Sequence, residues 1–316
     1  MQKADLLNRI KKATMLQLRT AGFQALQKLE RERDFPPAWN SMKELEVVTN
    51  NFHQRFLDER FEQSKSLGGF FLLNELLDRA LRSSETENMD NENLSGDEKL
   101  TLVKALDRQN EMMGLYNRYP AIILPLAEEI ARKENRSIRL LELASGSGGL
   151  ALALAHAAKI KNIPLSVTGS DIVPAYQDEA NRLADEKQLP VTFRIINAFD
   201  MDRSITEPFD LVVISQSLHH FTPGQLAMII AQAGKQASTL FIGIDGYRDP
   251  LLMAGVPLTA SLQGIPSFTL DGFISARKFY SNIELDIIAG IAKGRGSHSV
   301  QCSWPMSVMT VDFKPE

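Results

Sequence analysis

Cysteine is almost absent from this sequence: Cys302 is the only one in 316 residues. A single thiol excludes an intramolecular disulfide and a cysteine-rich zinc site, and it suits a reducing compartment. Long apolar runs are missing as well. None reaches the roughly 18 residues of a membrane span, and the start lacks the compact apolar stretch and small-residue cleavage site of a secretory signal, so a cytoplasmic address is expected. Positive charge is not in excess. A formal net charge of -4 leaves no overall basic field for a nucleic-acid backbone, so no nucleic acid is expected as partner. No internal repeat is present. What remains is 44% hydrophobic and 23% charged, an ordinary globular composition, long enough for one large domain and a substantial extra segment.

The first third reads as helix. Leu7, Ile10, Thr14, Leu18, Ala21, Ala25 and Leu29 recur at steps of three or four, on a segment rich in Lys and Arg. The expectation is a basic amphipathic helix packed on its own domain or on a second copy of the chain; contact with an anionic membrane surface is the other reading. DFPPAW breaks this helix. A further helix is expected from about 41 to 64. GGFFLLNELLDRALRSS then reads as a strongly apolar helix with Phe70, Leu73, Leu77 and Leu81 on one side, buried between other elements. SSETENMDNENLSGDE is acidic and aperiodic, and is expected to be an exposed, mobile loop. Two more helices follow, about 97 to 116 and 120 to 134, the second opened by Pro120 in its first turn. The division expected is a helical N-terminal cap or dimerisation region, 1–114, with an acidic loop near 83–98, and a second domain over 115–316.

From residue 138 the pattern changes. Short apolar runs (IRLLELA, LSVTGSD, VTFRIIN, FDLVVIS, STLFIGID) alternate with helical segments. This alternation predicts a doubly wound α/β domain with a mostly parallel sheet, whose ligands bind at the carboxyl ends of the strands. The first strand ends at Glu142, Leu143 and Ala144 and turns through Ser145, Gly146, Ser147, Gly148 and Gly149 into a helix. Glycines allow the sharp turn and a close ligand, and the helix start offers free N–H groups. Asp171 ends the second strand, where a carboxylate accepts both hydroxyls of a ribose diol or caps the next helix. Asn197, Ala198 and Phe199 follow the third strand, where an amide or backbone N–H reads an adenine edge and an apolar side chain covers the ring. Ser215 and Gln216 end the fourth. The glycine pattern and Asp171 alone fit nicotinamide dinucleotides equally well.

ELASGSG, then SD at the second strand end, then NAFD, then FDLVVISQSLHHF, in this order and spacing, resemble the motif series of class I S-adenosylmethionine-dependent methyltransferases. The tail is similar too: LDGFISARKFYSNIEL precedes two expected strands, about 299 to 303 and 307 to 313, matching the antiparallel hairpin that closes that fold. The likeness covers roughly 115 to 313 and implies a Rossmann-like sheet of seven strands. It implies that Glu142 lies near the methionine amino group and that the backbone of Ala144, Ser145 and Gly146 borders the amino-acid moiety, with Gly148 in the same turn. Asp171 would hold the ribose, with Ile172, Asn197, Ala198 and Phe199 around the adenine. Ser215 and Gln216 would stand where the methyl group meets the acceptor, and Tyr116, Arg118 and Tyr119 would reach the cofactor carboxylate or the acceptor. Ala144 departs from the family's usual glycine, and Asn197 from its usual aspartate.

The implied activity is methyl transfer by in-line displacement, in which positioning and exclusion of water dominate. His219 and His220 are the candidate catalytic residues, since an imidazole titrates in the range needed to deprotonate a hydroxyl acceptor. His53, His156 and His298 stand alone, and no metal is expected. The fourth-strand sequence lacks the Asn-Pro-Pro-aromatic motif of amide and base methylation. Phe70, Phe71, Met112, Met113 and the segment from Leu251 to Phe273 suggest a small apolar or aromatic acceptor. A nicotinamide-dependent oxidoreductase and a noncatalytic protein on the same fold are the other readings.

Overall fold

A computed structural model of the chain describes residues 15–33, 35–205, 207–236, 239–294 and 296–314. The start of the expected basic helix, with Leu7, Ile10 and Thr14, lies outside the described residues. Its continuation is α1 (Arg19–Arg31), which buries Ala21, Ala25 and Leu29. Helix α2 (Met42–Leu67) starts on Ser41, whose side chain accepts the Glu44 N–H; α3 (Gly69–Leu81) follows at once. Helix α4 (Gly96–Met112) opens with a reciprocal cap between Ser95 and Glu98, the local bonding that satisfies a first turn. Helix α5 (Leu115–Glu134) begins before Pro120, so Pro120 and Pro125 lie inside it rather than at its start. The buried side chains of Tyr119, Ile123, Leu124 and Ala127 hold this helix to the sheet across the missing N–H donors.

The α/β part alternates as expected: β1 (Ile138–Leu143), α6 (Gly149–Lys161), β2 (Leu165–Asp171), α7 (Pro174–Glu186), β3 (Val191–Ile195), β4 (Leu211–Ser215), α8 (Pro223–Lys235) and β5 (Leu240–Gly246). Helices α9 (Pro250–Ser261), α10 (Pro266–Lys278) and α11 (Asn282–Ala292) then lead to the hairpin β6 (Ser297–Ser303) and β7 (Met306–Asp312). The sheet runs β3-β2-β1-β4-β5-β7-β6. Strands β1 to β5 pair in parallel, with Leu140 beside Val167 and Leu211, and β7 runs antiparallel to β5 and β6. The winding reverses between β1 and β4, which opens a crevice at their carboxyl ends.

Both faces of the sheet are covered. Leu141, Leu143, Val212 and Ile214 pack with α8, α11 and the cap residues Ala25, Leu45, Phe52 and Phe56 in one cluster. Their alternates Leu140 and Val213 pack with α5 and α6 in a second. Alternation along strands buried on both sides is what a parallel sheet under two helical layers requires.

One expectation for the cap is overturned, and a second holds for only part of its segment. Helix α3 turns its apolar side outward: Phe70 is 66% and Leu73 62% exposed, while Glu75 and Asp78 are fully buried. The cause is Arg60 on α2 and Arg248 after β5, both buried, whose guanidinium groups need counterions. Glu75 accepts from Arg60 at 2.8 Å, and Asp78 accepts from Arg60 at 2.7 Å and from Arg248 at 2.6 Å. An unpaired buried ion costs several kcal/mol, more than one exposed leucine. The acidic loop is exposed only in part. A turn at Asn88–Asp90 docks on α10, with the N–H groups of Asn88 and Met89 donating to Asp271 at 2.6 and 3.1 Å, and Glu87 is buried. Among the described residues no helix is long and apolar enough to cross a membrane.

Candidate functional site

The turn after β1 is shaped by backbone that leaves the usual region. Ala144 has φ 51°, Gly146 52° and Gly148 83°. Glycine takes this conformation freely, whereas alanine does so at about 1–2 kcal/mol, so the position where the family resemblance expected glycine is a strained one. The turn is held by Ser145 N–H donating to Ser170 O and Gly148 N–H to Ser145 O, each at 2.8 Å. Gly148 serves packing rather than the crevice: a Cβ there would stand 2.4 Å from the Phe193 ring.

A cleft lies over this turn. Of the expected cofactor residues, Glu142, Ala144, Ser145, Gly146 and Tyr119 line it, as do Asp171, Ile172, Ser215 and Gln216 at the other strand ends. Gly148, Asn197, Ala198 and Phe199 are not in its wall. Asn197 is turned back on its own loop, its amide oxygen accepting the Phe199 N–H at 2.9 Å. Phe199 meets the cleft only through Phe221, which lines it and stacks edge-on against the Phe199 ring at 5.7 Å. Arg118 points elsewhere, donating to Trp304 O at 2.7 Å.

The cap adds residues that sequence reading missed. Asp107 and Asn110 on α4 line the cleft. The Asp107 carboxylate accepts from the hydroxyls of Ser147 and Tyr116, bridging cap and glycine turn. Nothing in the run LVKALDRQNEMM marks these two polar residues as different from solvated ones; only the docking of α4 on the sheet does.

One acid of the cleft, Glu142, is short of partners. Glu142 is buried, its Oε2 has no hydrogen-bond partner, and Ser215 Oγ reaches Oε1 only at 3.5 Å. Burial pushes the Glu142 carboxyl up to about 8. Burial also raises Asp107 and Asp171. Asp171 accepts the Gly146 N–H at 2.9 Å and the Val173 N–H at 3.0 Å, so it joins two loops and still keeps lone pairs toward the cleft.

A second cavity adjoins the first. The two share Asn110, Tyr119, Gln216 and His220 in their walls. Gln216, at φ 54°, forms the partition, its amide donating to Asn110 at 2.9 Å and to the Tyr119 hydroxyl at 2.5 Å. Beyond it the wall is Met113, Leu252, Val256, Phe268 and Phe279. Phe70 and Met112, expected near an acceptor, are exposed, and Phe71 is not in the wall.

His219 and His220, on a single helical turn after β4, stand at this cavity's polar end. His219 Nδ1 meets Asp245 at 2.8 Å, and His220 Nδ1 meets Asp90 at 2.6 Å. Because a carboxylate only accepts, each Nδ1 carries the proton it donates. Glu87 reaches both rings, 3.4 Å from His219 Nε2 and 3.7 Å from His220 Nε2. Burial disfavours the charged His219 ring, but Asp245 and Glu87 outweigh it and push its pKa up to about 10. Burial likewise opposes ionised Glu87, yet His219, His220 and Lys278 hold its carboxyl well below the usual range.

The strand order, the reversal beside β1 and the antiparallel β7 define the class I S-adenosylmethionine-dependent methyltransferase fold. Residues 140–236 match a family model described as a methyltransferase domain. The plantazolicin methyltransferase BpumL in complex with SAH is similar in structure, with TM-score 0.52 and 12% identity over 75% of this chain and 96% of that one. The plantazolicin methyltransferase BamL, in complex with a triazolic desmethylPZN analog and SAH, gives 0.51 and 14% over 67% and 90%. No curated protein matches the sequence.

Proposed function

We propose that this protein is an S-adenosylmethionine-dependent methyltransferase acting on a small, apolar or aromatic acceptor. The observation that carries this reading is the pair of adjoining cavities, one walled by strand ends with an unpartnered buried Glu142 oxygen, the other apolar. The cofactor's chemistry fits the donors present. Glu142 Oε2 takes the ammonium, the backbone at Ala144, Ser145 and Gly146 borders the amino-acid part, and Asp171 accepts the ribose hydroxyls beside Ile172. When bound, S-adenosylmethionine supplies a methyl group already activated on a sulfonium. The chain's own task is then to orient the acceptor and exclude water. Gln216, fixed by Asn110 and Tyr119, stands at the passage between the cavities. His219 and His220 stand at the polar end of the apolar cavity, where they meet the acceptor's polar group. The closing hairpin of β6 and β7 is foreign to the nicotinamide reading. A reducing cytoplasmic setting suits the exposed, unpaired Cys302.

Calorimetric titration with S-adenosylmethionine, S-adenosylhomocysteine and NADH in parallel tests this. Micromolar binding of the two sulfur nucleosides alone is expected. Binding of NADH alone, or of none of the three, overturns the proposal.

A further inference from the structure

Glu87, His219 and His220 come together from two parts of the chain: the acidic loop of the cap and the turn after β4. Their ligand-type atoms all lie within 4.8 Å of one another, and among the described residues no other group of three comparable side chains does so. His219 is 6% and Glu87 2% exposed, and His219 Nε2 has no hydrogen-bond partner although Glu87 Oε1 stands 3.4 Å away. Ligand bonds of about 2.0–2.2 Å put neighbouring donor atoms of one tetrahedron about 3.4 Å apart, close to the spacings found here.

The outer contacts have the same logic. Each ring is oriented by a carboxylate on Nδ1, Asp245 for His219 and Asp90 for His220, which directs both Nε2 atoms toward Glu87. A carboxylate behind each imidazole fixes the tautomer and raises its basicity toward a cation. Glu87 is itself held, accepting from Ser275 Oγ at 2.7 Å and pairing with Lys278 at 3.3 Å. All three residues line the apolar cavity, so positions on the far side of the cluster face its interior.

We propose that Glu87, His219 and His220 bind one divalent transition-metal ion, with zinc, cobalt, iron and manganese as the class such a donor set favours. Open positions toward the cavity suit an acceptor that carries a ligating oxygen. This acceptor role rests on the methyltransferase reading; the ion site does not. The sequence led to the opposite expectation because Glu87 lies far from the His pair in the chain.

The test uses the full-length protein, freed of metal with a chelator that is then removed. Cobalt(II) is titrated while visible absorption is followed, and zinc is titrated by calorimetry. One equivalent with a saturable ligand-field band is expected. Glu87→Gln and His219→Gln should weaken binding at least about tenfold, and Asp245→Asn should lower it by about ten- to a hundredfold by freeing the ring behind the ligand. His156→Gln, on an exposed helix face, should bind as the parent does. Circular dichroism checks folding, and Asp90→Asn, at an exposed position, serves if His219 variants do not fold. Absence of a saturable band, or affinity unchanged in Glu87→Gln and Asp90→Asn, overturns the site. S-adenosylhomocysteine affinity is measured on the same samples: nucleoside binding without metal binding sinks the ion site alone, and metal binding without nucleoside binding sinks the cofactor reading alone.

Discussion

Strand β1 and helix α3 are both apolar segments that carry buried acids, and they treat those acids in opposite ways. Asp78 of α3 is surrounded by cations: Arg60 at 2.7 Å, Arg82 at 3.0 Å and Arg248 at 2.6 Å. Burial would raise its carboxyl, yet these arginines bring it below the ordinary value. Glu142 of β1 is as deeply buried and meets no cation, so burial leaves its carboxyl raised to about 8. The paired acid belongs to the fold, tying α3 to the α2 helix and to the segment after β5. The solitary acid has an interaction missing that a cationic ligand group supplies.

Breaking the paired side should have the largest effect. Asp78→Leu leaves Arg248 without its carboxylate, while Arg60 keeps Glu75 and Arg82 keeps Glu284, and a buried ion stripped of its partner costs about 3–5 kcal/mol. Urea unfolding should show that loss; an unchanged midpoint would mean that the ionic cluster does not hold the cap in place. On the solitary side, Glu142→Gln and Asp171→Ala remove charge-assisted hydrogen bonds worth about 1.5–3 kcal/mol, so S-adenosylhomocysteine affinity should fall roughly ten- to a hundredfold in calorimetry. The two variants should differ in stability. Asp171→Ala unties two loops and destabilises. Glu142→Gln, at about pH 8, should stabilise, because it removes a carboxyl that the folded protein resists ionising.

The pH dependence follows with a definite sign. The folded Glu142 carboxyl, at about 8, binds its proton more tightly than an unfolded one near 4.5, so its contribution to stability is greatest below 4.5 and declines toward 8. A ligand ammonium favours the ionised form. S-adenosylhomocysteine affinity should therefore rise, on the order of tenfold, between about pH 6 and pH 8, and Glu142→Gln should flatten the profile. A flat profile in the parent would separate Glu142 from the ammonium.

The smallest effect sharpens the comparison most. Phe70→Ser and Leu73→Lys change the side of α3 that faces solvent, and should alter unfolding free energy by no more than about 0.5 kcal/mol. Losses of about 2–5 kcal/mol, usual for truncating buried residues, would show that α3 packs by its apolar side after all.

Much of the α/β unit was legible because a strand's hydrogen-bonding direction leaves its side chains two faces only. The continuous apolar runs in IRLLEL and FDLVVIS therefore report burial on both faces, and the strand ends fall where the runs stop. The glycine turn was legible for a similar reason, since few sequences make that bend; Glu142, Asp171, Ser215 and Gln216 follow from it. The place of Asn197 was not, because its amide had a nearer partner in its own loop. Helix α3 shows the limit from the other side. A helix can roll about its axis, and its own pattern states a preference that neighbours can override. Arg60 and Arg248, distant in sequence, rolled it so that Glu75 and Asp78 face inward.

By itself, then, the sequence determined the alternating sheet, its closing hairpin, the turn after β1 and the acids that end β1 and β2, since each depends on contacts within a few residues or on backbone geometry. Only the tertiary structure decided which side of α3 is buried, that Asp107 and Asn110 overlie the glycine turn, and that Glu87 meets His219 and His220. Those outcomes depend on charges from separate segments being buried together, where the cost of leaving one unpaired exceeds the preference of any single element.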